Sequence, residues 1–267
     1  MNSRTTARAW AAAFAARVAV ALGALLIFAV LSLPALAQDG ARIAALSKES
    51  AEAFSAYIQE TTQAHRRPDY SKPPVAQYLQ QILDADAFAA LPPIQGSDVT
   101  WLLDWYGSVS QTYKKLLYFG VTNDSDLKSA VTLNVAEAED QIIRAMALQV
   151  RMGSRLVSAM PLFLATLPPE AATRTEIRKA GMQKAQRALI ETVSGAVISV
   201  AGPMRPGNAL LLVAALRDTA PVWAPYATAN ERAGLLRLLK QGSTANAYPG
   251  VVDALTSASS TVSSIKD

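Results

Sequence analysis

The sequence predicts an all-α fold, an elongated helical bundle of about seven or eight helices with a long central hairpin. Three observations carry this. Good helix formers (Ala, Leu, Gln, Glu, Arg and Lys) dominate the chain beyond residue 38. Apolar residues recur at spacings of three and four, the period of one helix face. Alternating apolar runs joined by turn dipeptides at hairpin spacing, the mark of paired strands, are missing.

The first helix is expected from about Ala41 to His65. Ile43, Leu46, Ser50, Ala53, Tyr57, Thr61 and Ala64 form its seam, with Phe54 and Ile58 beside it. Pro68, Pro73 and Pro74 end it and stiffen the link. A second helix is expected near Val75 to Ala90, with Tyr78, Leu79, Ile82 and Leu83 inward, closed by Pro92, Pro93 and Gly96. Ser97 or Asp98 can cap a third, near Val99 to Phe119, and Gly120 suits its end.

The run NDSD at 123–126 offers caps for a fourth helix, from Leu127 to about Leu167, with a bend at Pro161. Val135, Ile142, Met146, Val150, Val157, Met160 and Leu164 mark its buried face. Pro168-Pro169 opens a fifth helix, to about Val200, so the chain turns back near Leu167. At about 1.5 Å per residue the two arms would each reach roughly 45 to 60 Å, which argues for an elongated bundle.

Residues 202–207, GPMRPG, read as a loop. Ala209 to Leu216 is apolar without a break and therefore central to the bundle. Pro221 and Pro225 end that helix. Thr228 and Glu231 form a capping box for a short helix carrying Leu235, Leu236, Leu238 and Leu239, with Gly242 just past its end. A last helix near Val251 to Ser259 runs into a Ser-rich tail, expected to fray from about residue 256.

Residues 1–37 read as a signal peptide, leaving 38–267 as a single helical-bundle domain. Arg4, Arg8 and Arg17 make a basic start, Val18 to Gln38 carries no charge, and Ala35 and Ala37 form an A-x-A exit behind Pro34. Export to the periplasm or cell exterior is the expectation. The alternative is an inner-membrane anchor over residues 18–37, since about 20 apolar residues span a bilayer. Membrane contact is expected only through the leader, where it is retained.

The chain has no cysteine, which removes thiolate nucleophiles, thiolate metal sites and redox switches. The leader holds three of the 25 basic residues and no acid, so the rest of the chain is near neutral at about +1. That argues against nucleic acid, whose recognition rests on clustered Lys and Arg. Neither G-x-G-x-x-G nor a P-loop occurs, and no cofactor is expected.

His65, the single histidine, would have to be the base of any Ser-His-Asp triad. Beside Arg66 and Arg67 at a helix end it reads instead as a cation placed by the helix dipole. No metal site is expected, because one histidine and no cysteine exclude the common zinc sets. Asp124 and Asp126 lack the rest of a calcium loop, since Lys128 falls where an oxygen ligand belongs.

Glu137, Glu139 and Asp140 cluster on the fourth helix, and paired acids could cut a glycosidic bond across a cleft. Asp140 also stands four before Arg144, an ordinary surface pairing. Glu191, in ETVSG, has too little context for a murein-cleaving site. No catalytic residue is assigned.

Aromatic residues crowd the third helix. Trp101 and Trp105 share a face with Val109, and Tyr106 is adjacent. Such a stripe is usually core, but it could line an apolar pocket, so Trp101, Trp105 and Tyr106 are the candidate ligand-binding residues. Trp223 and Tyr226 form a second, smaller cluster.

These features favour an exported, non-enzymatic envelope protein acting through helical interaction surfaces, its partner an unknown envelope protein. The alternative is a periplasmic small-ligand-binding or sensory bundle whose aromatic pocket takes a small apolar molecule. A carboxylate-based hydrolase is third.

Overall fold

In a computed structural model, described for residues 39–121, 123, 127–166, 172–246 and 248–265, the chain is an all-α bundle. No strand occurs among these residues. Its helices are α1 (39–63), α2 (Val75–Ile82), α3 (Ala85–Ala90), α4 (Val99–Leu117), α5 (Leu127–Thr166), α6 (Ala172–Val200), α7 (Pro206–Trp223), α8 (Ala229–Ala245) and α9 (Pro249–Ser264). The leader, NDSD beyond Asn123 and the turn at Leu167-Pro168-Pro169 lie outside the described residues. No described helix is long and apolar enough to cross a membrane.

The core lies in two clusters that meet on α5. One joins the middle of α5 to α6, α7, α8 and α9 through Val193, Leu212, Leu216, Trp223 and Leu239. The other joins it to α1, α2, α3 and α4 through Phe54, Ile82, Phe88, Trp105 and Leu148. Ile142 to Val150 of α5 is buried almost all round, apart from Arg144. Thus α5, more than the apolar run at Ala209–Leu216, is the central helix.

Several local expectations are corrected. The buried face of α1 runs through Ala44, Ser47, Ser50, Phe54, Ile58 and Thr61, so Ser50 and Thr61 of the expected seam are buried while Leu46 is 43% exposed. Phe54 and Ile58 bury more area than the small residues of the expected seam, and they set the rotation. Gly40 fits because Trp101 lies against it: a Cβ there would sit 2.6 Å from the indole.

The second expected helix is two. Asp84 caps α3 by accepting the Ala87 amide at 2.8 Å. The break frees the carbonyl of Ile82, which accepts the buried Trp105 Nε1–H at 3.0 Å. A polar group buried this deeply needs a partner.

In α5 the non-helical dihedrals fall at Ala138 (φ −122°, ψ 27°), and Pro161 lies within the helix. Asn134, just before that kink, donates to the carbonyls of Leu117 and Phe119 at 2.9 and 2.8 Å and so closes the end of α4. Gly120 then turns the chain at φ +71°.

Pro221 does not end α7, which continues to Trp223. Gly242 does not follow α8 but lies inside it, where its missing Cβ admits Leu255 and the Ala201 backbone. The Ser-rich segment does not fray among the described residues. It forms the end of α9, with Ala258 and Val262 buried and Ser259 and Ser260 donating to carbonyls four residues back. The Thr228–Glu231 capping box is present in both directions.

Candidate functional site

The aromatic residues of α4 have structural partners. Trp105 is fully buried and packs edge-on against Phe88, with ring centres 5.7 Å apart and planes at 79°. Trp101 is half-buried under Gly40 and donates to Asp98 Oδ1 at 3.1 Å. Tyr106 is half-buried near Gly153 of α5. None of the three lines the cleft described next. Trp223 is buried with its Nε1–H on the Leu216 carbonyl, while Tyr226 is partly exposed.

That cleft, of about 750 Å³, lies between the end of α3, the middle of α5 and the last turns of α7. Phe88, Leu91, Pro93 and Ile94 form one wall. The opposite walls are Arg151, Ser154, Arg155, Ser158 and Ala159 of α5 with Asp218, Thr219 and Val222 of α7. Its size is typical of a small-molecule site.

The α5 wall follows from local sequence. Residues 151, 154, 155 and 158 of RMGSRLVS recur at helical spacing and share one face. They place two guanidiniums one turn apart. No acid stands three or four residues away from either on this helix to relieve their repulsion.

The two arginines differ. Arg151 lies 3.9 Å from Asp218, whose other carboxylate oxygen accepts from Arg217 Nε and Nη2 at 2.9 and 2.7 Å. Arg155 pairs with no carboxylate among the described residues. Its Nη1 donates to the Phe88 carbonyl at 3.2 Å, and its guanidinium carbon sits 4.4 Å from the centre of the Phe88 ring. Burial works against its charge and lowers its pKa.

The acids of α5 are spent on tertiary contacts. Glu137 accepts from Arg67 Nε at 2.6 Å, and Arg67 also reaches Asn134 and the face of Phe119. Glu139 and Asp140 both accept from Asn208 Nδ2 at 2.8 Å and both pair with Arg205. Asp140 therefore bridges to the start of α7. Burial opposes the charge on Glu139, but hydrogen bonds from Asn208 and from the Arg205 amide and guanidinium prevail and hold its pKa below the ordinary value.

Nearby, the Tyr70 hydroxyl is buried without a partner among the described residues, and burial first, then Glu137 and Tyr57, push its pKa up against the pull of Arg67. Glu191 is a surface acid paired with Arg187. His65 is exposed, just past the end of α1 at residue 63. No group of three or more His, Asp or Glu among the described residues is placed to hold a metal ion.

The sequence reading passed over Arg151 and Arg155. Their signal was available: a like-charged pair four apart on a helix otherwise apolar at that level. What faces them comes from α3 and α7, with Phe88 67 residues before Arg155 and Asp218 as far after Arg151, which no local pattern reveals.

Fold and cleft together define a helical bundle with a guanidinium-flanked, largely apolar cleft. No family model, no curated protein and no solved structure matches this chain.

Proposed function

We propose that this protein is a non-enzymatic, exported helical bundle that binds a small, largely apolar molecule in the cleft between α3, α5 and α7. The observation that carries this is the cleft itself, about 750 Å³ walled by Phe88, Leu91, Pro93, Ile94 and Val222. Its polar groups favour binding over turnover. The Ser154 hydroxyl is committed to the Val150 carbonyl, and Asp218 is held between two guanidiniums. Neither is poised as nucleophile or base.

The test is saturable binding of the neutral fluorophore N-phenylnaphthylamine, measured on the parent and on Ser158→Trp. Ser158 is exposed on the cleft wall, so the indole fills the cleft without entering the core. Loss of binding in the variant is expected. No binding by the parent, or equal binding by both, would overturn the reading.

Export rests on the basic start, apolar middle and A-x-A exit of residues 1–37. The mature chain should begin at Gln38, and intact mass of protein recovered from the cell envelope checks this. A membrane-embedded chain still beginning at Met1 would favour an anchor over residues 18–37. A second reading, contact with an envelope partner through a helical surface, draws on Leu162 and Ile198, whose exposures are 52% and 58%.

A further inference from the structure

We infer that the ligand of this cleft is an amphipathic carboxylate, with its carboxylate between Arg155 and Arg151 and its apolar tail along Ile94 and Val222. The inference rests on the cleft being a ligand site, and it adds the chemistry of the head group.

The first support is the state of Arg155. A guanidinium has five N–H donors in a rigid fork. Among the described residues one of these is used, by the Phe88 carbonyl at 3.2 Å. A half-buried cation without a carboxylate is costly unless something completes it. The Phe88 ring face below and the carbonyl beside it hold the fork in place before any ligand arrives. A carboxylate meets such a fork with two parallel hydrogen bonds.

The second support is Arg151, one turn away on the same helix face and also on the cleft wall. Its contact with Asp218 is loose, at 3.9 Å, while Asp218 is gripped more closely by Arg217. Arg151 can therefore turn to a second anion without stranding Asp218.

The third support is charge. Asp218 is already matched by Arg217, so Arg151 and Arg155 leave uncompensated positive charge at the head of the cleft. An anionic head group is drawn there, and the planar fork of Arg155 matches a carboxylate. Beyond the head the wall is mainly apolar, with Ser154 and Thr219 committed to helix carbonyls and Ser158 the exposed polar exception, so the rest of the molecule is largely hydrocarbon.

The test uses calorimetric titration with decanoate, decanol, acetate and inorganic phosphate, below the micelle-forming concentration of the amphiphiles. For the parent, decanoate should bind about tenfold or more tightly than decanol, the usual worth of a charged hydrogen bond. Acetate and phosphate should bind weakly, since neither has a tail. Arg155→Met should bring decanoate down to the affinity decanol has for the parent. Arg155→Lys, which keeps the charge but loses the fork, should fall between, and it carries the test should the Met variant fold poorly.

Decanol binding as tightly as decanoate would sink the carboxylate assignment and leave the apolar cleft standing. Phosphate competing as well as decanoate would replace the carboxylate with a phosphoryl group and overturn the inference. Failure of decanoate, decanol and N-phenylnaphthylamine alike would remove the ligand site itself.

Discussion

The Arg155 guanidinium lies over the Phe88 ring, its carbon 4.4 Å from the ring centre, while the same ring meets Trp105 in a T-shaped contact with centres 5.7 Å apart. Arg155, Phe88, Trp105 and the Ile82 carbonyl thus form one continuous stack. Trp105 of α4 stands one layer beneath the cleft and supports its wall through Phe88. A substitution in this stack therefore acts on stability and on the cleft through different members.

Arg155 should matter little for stability. Its ring contact and single hydrogen bond are worth about 1–2 kcal/mol together, and the cost of its buried charge is of similar size. Arg155→Met should unfold within about 1 kcal/mol of the parent in urea, whereas Phe88→Ala should lose about 3–4 kcal/mol. A large loss in Arg155→Met would make the arginine a structural strut.

Trp105→Ala should cost about 3–5 kcal/mol, because it opens a cavity in the core and strands the Ile82 carbonyl. Trp101→Ala should cost about 1–2 kcal/mol, since that side chain is half-buried and mainly closes over Gly40. Denaturant unfolding of the two variants side by side checks the order.

His65 ends α1 in the left-handed conformation at φ 51°. The Arg66 amide bonds back to the Thr61 carbonyl at 3.0 Å and the His65 amide to Thr62 at 3.1 Å, a complete Schellman stop. Glycine adopts this conformation without strain, so His65→Gly should raise stability by about 1 kcal/mol. His65→Gln keeps the same penalty and should leave fold and ligand binding unchanged. A drop in thermal stability on His65→Gly would show that the imidazole holds something here.

The Tyr70 hydroxyl is buried with no hydrogen-bond partner among the described residues. Tyr70→Phe removes a desolvated polar group and keeps the ring, so stability should rise by about 1 kcal/mol. The spectrophotometric titration of the parent should also show a tyrosine that ionises only well above the usual range. A destabilised Phe variant would mean that the hydroxyl is bonded in solution.

Glu139 has a folded pKa below its ordinary value of 4.5, held there by Asn208 and Arg205 despite burial. A depressed carboxylate contributes stability above its unfolded pKa and loses that contribution as pH falls through the folded pKa. Glu139→Gln should therefore be about 1 kcal/mol less stable near neutrality and lose less stability between about pH 6 and about pH 3. Parallel acid-unfolding curves for parent and variant would contradict this.

Much of the fold was legible in particular residues. The Thr228–Glu231 box, Gly120 and the pairs Pro73-Pro74 and Pro92-Pro93 mark helix ends because capping and φ restriction act within a few residues. Less legible was anything resting on a distant partner. The break at Leu83-Asp84 looks like a helix interior until Trp105 arrives to take the Ile82 carbonyl. Gly242 looks like a stop until Leu255 packs against it.

By itself, the sequence determined that the chain is helical, where most helices start and stop, and which chemistries are missing with cysteine and all but one histidine. These follow from backbone propensity, caps and composition, which are local. Tertiary structure alone decided that α5 is the central helix, that Glu139 and Asp140 lock the start of α7, and that Arg151 and Arg155 look onto an apolar cleft. Each depends on which faces meet. Helices have many faces of similar apolarity, and the choice among them is made by side-chain volume and polar satisfaction summed over elements far apart in the chain.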